Sequence, residues 1–266
     1  MKKIVIEGIG IIVLFFFTWF ALSEVDWMTL LKFEKLSKIS EKKLGELFWD
    51  VFQHSDNVVS DYEILSPIDS LVNRICDAND FDKESLKIHI VTKDEVNAFA
   101  LPDEHLIIYT GLIENCENPS ELVGVICHEI AHMKSNHIMK KLGKEIGLTA
   151  LISISSGNSG SEIAKQAAKI LSSTAYDRKL EKEADIKAAD YLINAKISSV
   201  PFANFLFRLS NAEPEINSQF SWISTHPDSK TRAEYLMQYR KGEPTDIIPV
   251  LSNITWEKIQ KTLQEQ

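Results

Sequence analysis

The sequence predicts an α+β domain in which helices dominate. Three observations carry this: long segments repeat apolar residues at helical spacing, a short stretch at 86–91 alternates instead and is followed by a second strand candidate at 105–110, and helical segments resume after them. Residues 28–54 set Leu30, Leu31, Phe33, Leu36, Leu44, Leu47 and Phe48 among lysines and glutamates, an amphipathic helix with a break expected near Ser40. A second helix is expected over residues 68–76, after Pro67, with Leu71, Val72 and Ile75 on its apolar face. Residues 86–91 and 105–110 then read as strands, the second closing at Gly111. The next helix has Asn118 as N-cap, Pro119 at its first position and Glu121 three residues after the cap, and is expected to continue past His137. Further helices are expected over 161–176, 178–195, from Pro201 to Leu209 and from Lys230 to Arg240, with a loop at 157–161. The apolar stretch 142–154 is too short to span a bilayer, so it either packs over a site or touches lipid.

With 266 residues, 44% of them apolar, the chain can bury one sizeable core and a small appendage. A formal net charge of −9 leaves no dense cationic face, which excludes nucleic acid as a partner. Cys76, Cys116 and Cys127 are too few and too irregular for a disulfide framework or a thiolate zinc site; they leave room for one bridge, Cys76 to Cys116, which nothing in the sequence calls for. At the N-terminus, Lys2 and Lys3 precede an apolar run to Leu22 whose only charge is Glu7, close to the roughly 20 residues a bilayer core needs. Positive charge before the run, and Glu24 and Asp26 after it, place the N-terminus in the cytoplasm and the rest on the periplasmic or extracellular side. Ala21-Leu22-Ser23 also suits signal-peptidase cleavage, so membrane anchor and secreted protein both stay open.

His128-Glu129-Ile130-Ala131-His132 is an H-E-x-x-H on a predicted helix. Positions four apart share a helix face, so both imidazoles can reach one zinc ion, while Glu129, about 100° round, can serve as base toward the attacking water. The alternative, two buried structural histidines around a buried carboxylate, is costly because an unpaired buried charge needs a partner. A catalytic zinc takes three protein ligands and keeps one position open. His137 lies five residues after His132; on a continuous helix that is about 500° of rotation, about 140° off the ligand face, so it reads as structural. Glu181 and Asp185, four apart on a later helix, are the better pair: one can bind metal while the other accepts a hydrogen bond from a ligand histidine.

H-E-x-x-H followed about fifty residues later by Glu181-Lys182-Glu183-Ala184-Asp185 resembles metallopeptidase family 48. Asn97-Ala98-Phe99 with Pro102, Tyr109-Thr110-Gly111-Leu112, and Thr225-His226-Pro227 with Arg232 are similar to further segments of that family, in the same order. The resemblance implies a zincin-like (gluzincin) domain whose small sheet lies next to the H-E-x-x-H helix. It makes Glu129 the catalytic base, His128, His132 and Glu181 the ligands of one Zn2+, and Asp185 the hydrogen-bond partner of a ligand. By the same resemblance His226 is a fourth ligand or a switch, Arg232 supports the site, and Asn97, Ala98 and Phe99 belong to the substrate edge. The strand at 105–110 would be the one to which a peptide adds. Asp103-Glu104-His105 stands where the family carries small glycines, which leaves the groove's shape open. The implied layout is an anchor or signal peptide at 1–23, an amphipathic segment at 24–60, a catalytic domain at 61–242 and a tail at 243–266. The implied activity is hydrolysis of peptide bonds in exported or membrane-associated proteins, misfolded ones included. A zinc-gated chaperone-like module held closed by His226 is the alternative.

Overall fold

A three-stranded sheet orders the molecule in the computed structural model, which describes residues 10, 12–18, 33–55, 57–157, 161–211, 220–239 and 244–265. The strands are β1 (Lys87–Val91), β2 (Ala98–Leu101) and β3 (His105–Tyr109), in the order β1-β3-β2. β3 pairs parallel with β1, Lys87 opposite His105, and antiparallel with β2, Phe99 opposite Ile107. The strand at 105–110 is therefore central and not an edge: β1 and β2 are the two edge strands, β1 bridged at Val91 by Val58, and β2 carries Ala98 and Phe99. β2 escapes the alternation rule because all four of its residues are buried. The β2–β3 hairpin turns through Asp103 (φ 60°) and Glu104 (φ 57°), left-handed conformations that glycine normally supplies. Their side chains are anchored, Asp103 by Lys87 and Glu104 by Lys134 and Ser85 (2.7 and 2.6 Å), which offsets the strain.

Helices pack against the sheet. α1 (Phe33–Ser55) buries Leu44, Phe48 and Phe52, spaced four apart, while Leu47 faces solvent; the helix is continuous through Ser40. Trp49 of α1 stacks on His89 (3.6 Å between centroids) and Phe52 meets Phe99 (5.2 Å). α2 (Tyr62–Ala78) starts six residues before the expected position because Asp61 caps it, accepting from the Glu63 amide at 2.8 Å; Pro67 is accommodated inside it. A short α3 (Thr110–Asn115) leads to α4 (Pro119–Lys134), the central helix. Asn118 caps α4 as expected, and Arg208 grips the buried Glu121 in its first turn at 2.7–2.8 Å.

α4 packs against β2, α8 (Arg178–Asn194) and α9 (Val200–Ser210), which follow α5 (His137–Ile146), α6 (Leu148–Ser155) and α7 (Ser161–Ser173). Gly124 permits the close crossing with α9, since a Cβ there would lie 2.4 Å from the Cβ of Phe202. The apolar stretch 142–154 buries Leu142, Leu151 and Ile154, with Ile152 exposed. α10 (Ser221–Thr225), α11 (Ser229–Gln238) and α12 (Asn253–Gln264) complete the order. α12 buries Trp256, Ile259 and Leu263 against α2 and α3, and Gln260 donates to three carbonyls at the end of α3.

All three cysteines are free and buried, so Cys76 and Cys116 form no bridge. Residues 1–40 separate from 41–266 as a unit of their own. In it, Gly10 and residues 12–18 are helical and exposed; the rest of the expected anchor, and residues 28–32 of the first amphipathic helix, lie outside the described residues. Among the described residues no helix is long and apolar enough to cross a membrane.

Candidate active site

α4 presents His128, Glu129 and His132 toward α8, which presents Glu181 and Asp185, while the turn after α10 brings in His226. Ligand atoms of His128, His132, Glu181 and His226 all lie within 4.8 Å of one another, and all four residues are at most 1% exposed. His128 Nε2 is 3.0 Å from His132 Nε2 and 3.2 Å from His226 Nδ1. Glu181 Oε1 is 3.0 Å from His226 Nδ1 and 3.3 Å from His132 Nε2.

His128 Nδ1 lies 2.9 Å from Asp185 Oδ1, which fixes the tautomer: Nδ1 donates to the carboxylate and Nε2 turns its lone pair inward. Burial holds the His132 imidazole well below its ordinary pKa and lowers that of His226, so both are neutral. Burial pushes the carboxyls of Glu181 and Asp185 up, but His226 and Arg232 around the first, and Arg232 and His128 around the second, outweigh it and hold both well below the usual carboxylate range. Neutral imidazoles and an ionised carboxylate are the forms that bind metal. Three ring nitrogens converging beside a carboxylate suit a zinc ion, for which nitrogen and oxygen ligands in this number are usual.

Arg232, from α11, binds Asp185 through Nε and Nη2 at 2.8 and 2.7 Å, Glu181 Oε2 through Nη1 at 2.7 Å, and the carbonyl of His226 at 3.1 Å. It thus fixes the two carboxylates and the late histidine with one planar group. Tyr235, one turn on, also donates to Asp185. Glu129 accepts a hydrogen bond from the Ala100 amide at 3.2 Å, so the edge strand touches the base through its main chain. Glu129 Oε1 and His226 Nε2 are buried 3.3 Å apart without a well-formed hydrogen bond. The Asn97 carbonyl accepts from the Tyr109 amide and its buried side-chain oxygen has no partner. The Phe99 ring lies in the core against Phe52 of α1, and Ala98 is fully buried.

His137 stays outside the ligand cluster, but not for the reason that rotation along a continuous helix gives. α4 ends at Lys134 and Asn136 adopts φ 57°, so the chain turns before α5 and the rotation argument for a continuous helix does not apply. The His137 Nδ1 comes 3.0 Å from His132 Nδ1, and its Nε2 lies 3.5 Å from Glu183. With His132 Nε2 kept for metal, its Nδ1–H donates to His137, which does for His132 what Asp185 does for His128. The one available signal was Asn136, a residue that tolerates the left-handed conformation at helix ends. Trp222, stacked on His226 at 4.6 Å, and Tyr176, 4.1 Å from the ring of His132, carried no signal that local pattern could read.

Comparison with known proteins agrees with this geometry. Residues 66–240 match peptidase family M48. The chain is 32% identical over 167 residues to the mitochondrial metalloendopeptidase OMA1 of Bos taurus, a match covering 56% of this chain and 31% of that protein. It is 20% identical over 215 residues to the mitochondrial metalloendopeptidase OMA1 of Schizosaccharomyces pombe, covering 78% and 63%. It is 25% identical over 209 residues to a putative beta-barrel assembly-enhancing protease of Vibrio cholerae, covering 71% and 43%. The matches span less than two thirds of these relatives. Since the family match runs through α4, α8 and the segment bearing His226 and Arg232, the chain belongs to peptidase family M48, whose members are zinc-dependent metalloproteases.

Proposed function

We propose that the chain is a zinc metalloendopeptidase acting on exported or membrane-associated proteins, misfolded ones included, from a domain outside the cytoplasm and tethered by residues 1–23. The observation that carries the reading is a base beside a complete ligand set: Glu129 adjoins His128, His132 and Glu181, and a purely structural metal site has no use for it. Zinc, when bound there, supplies a Lewis acid for the peptide carbonyl and lowers the pKa of water toward neutrality. Glu129 takes the proton of the attacking water and passes it to the leaving amine. Asp185 and His137 hold the ligand imidazoles in their binding tautomers, and Arg232 holds Glu181 ionised. The main chain of the edge strand β2, whose Ala100 amide donates to Glu129, receives the substrate strand.

The chaperone-like reading draws on one observation. His226 stands among the ligands, and with the site almost fully buried it closes the position that hydrolysis needs open. The two readings separate on the full chain in detergent, by zinc content and casein cleavage for wild type and Glu129→Gln. One zinc per chain in both, with cleavage reduced by about 10³-fold or more in the variant, is the expected outcome. Equal cleavage by the variant would remove Glu129 from the mechanism. Zinc without cleavage in either protein would favour the gated module and make His226→Ala the next variant.

A further inference from the structure

One buried cation has no part in the chemistry described so far. Lys141, on α5, is 4% exposed, and its Nζ donates to the carbonyls of Thr174 (2.6 Å) and Leu171 (3.3 Å), where α7 ends. Among the described residues no carboxylate lies within ion-pair distance of it. A helix C-terminus offers unpaired carbonyls and partial negative charge, so the ammonium fastens α7 at the point where a cation binds a helix best. α7, like α4, packs against the edge strand β2. The same Nζ lies 4.0 Å from the centroid of the Tyr176 ring, a cation–π contact.

Tyr176 continues the path inward. Its ring lies 4.1 Å from that of His132 at 33° and 5.5 Å from that of His226 at 27°, and its amide donates to the Thr225 carbonyl at 3.0 Å, one residue before His226. Every link between the C-terminus of α7 and two imidazoles of the ligand cluster is thus a direct contact. If α7 leaves β2, Lys141 loses both carbonyl acceptors, and a buried ammonium without acceptors cannot stay where it is. Its departure strips the outer face of Tyr176, a ring packed against both His132 and His226.

We propose that Lys141 and Tyr176 are positioning residues that couple the seating of α7 on the edge strand to the orientation of the ligand imidazoles His132 and His226. The consequence for substrate entry rests on the peptidase reading above; the coupling itself does not.

The test uses the full chain, with zinc or with cobalt in its place, for wild type, Lys141→Met, Tyr176→Phe and Tyr176→Leu. Two quantities are measured: hydrogen exchange of the α7 amides and the visible d–d bands of bound cobalt. In Lys141→Met, α7 exchange is expected to quicken on the order of tenfold while metal stays bound, and the cobalt bands are expected to shift. Tyr176→Phe keeps the ring and should match wild type; Tyr176→Leu should shift the bands with metal retained. Unchanged α7 exchange in Lys141→Met overturns the fastening, and faster exchange with unmoved bands overturns the coupling. Should Tyr176→Leu fail to fold, Lys141→Met decides alone. Neither measurement needs hydrolysis, so a failure here is distinct from a failure of Glu129→Gln.

Discussion

Each ligand histidine on α4 reaches inward with one nitrogen and outward with the other, and the outward partners differ. His128 has the ionised Asp185; His132 has the neutral His137, whose pKa burial lowers to about 4 despite Glu183 nearby. Asp185→Asn keeps the size of the side chain and removes the charge that orients His128 and pairs with Arg232. Zinc affinity, measured by competition with a chromophoric chelator, should fall by about 10–100-fold. Unaltered affinity would mean that the Asp185 hydrogen bond does not set the ligand's orientation. His128, Glu129 and His132 were legible because a spacing of four on a helix is a geometric statement that needs no tertiary information. Glu181 and Asp185 were legible as a pair for the same reason, though only their resemblance to a known family said which of them faces the metal. His137 was not, because its position depends on one left-handed residue, Asn136, that breaks the periodicity from which rotation angles are counted.

At the scale of elements, the docking of α1 on the sheet depends on two histidines. His89 Nε2 and His105 Nδ1 are 3.0 Å apart, Trp49 covers His89, and Lys87 Nζ sits 3.2 Å from His105 Nε2 with Asp103 beside it. Burial, with His105 and Lys87 adding to it, lowers the pKa of His89 to about 4; burial and then Lys87 do the same for His105, against a smaller opposing effect of Asp103. The unfolded chain binds these protons near 6.5 and the native state only near 4, so between those values the unfolded state holds more protons and native stability falls as pH falls. The expected result is a melting temperature that drops as pH is lowered from about 6.5 to about 4, with a smaller drop in His89→Gln. Equal slopes in the two proteins would place the pH sensitivity elsewhere. β1 was legible from its alternation, β3 as a strand closing at Gly111, and α4 from its cap. The edge strand β2 was not, because Ala98 to Leu101 is buried on both faces, and which strand is the edge is a property of pairing that no local pattern contains.

For the molecule as a whole, the ligand cluster is also a tie between distant parts of the chain. His128 and Glu181 are 53 positions apart in sequence, and His226 lies 45 further on, yet their ligand atoms meet within 4.8 Å. Such closure cannot be read from local sequence, and neither can the recruitment of α12 and the second half of α1 into the core. A metal that binds only the assembled site stabilises the fold by mass action, about 4.1 kcal/mol when free zinc is 1,000 times its dissociation constant. At roughly 2–4 °C per kcal/mol for a domain of this size, stripping zinc with a chelator should lower the melting temperature by about 8–16 °C. The Glu181→Gln protein, with a weaker ligand set, should start lower and lose less, and zinc added back should restore only the wild type fully. Both proteins melting at one temperature, with and without chelator, would show that the four side chains hold together by their own hydrogen bonds and that α4 and α8 need no ion between them. In that event the buried, nearly unpartnered oxygen of Glu129 would have to be satisfied by ordered water.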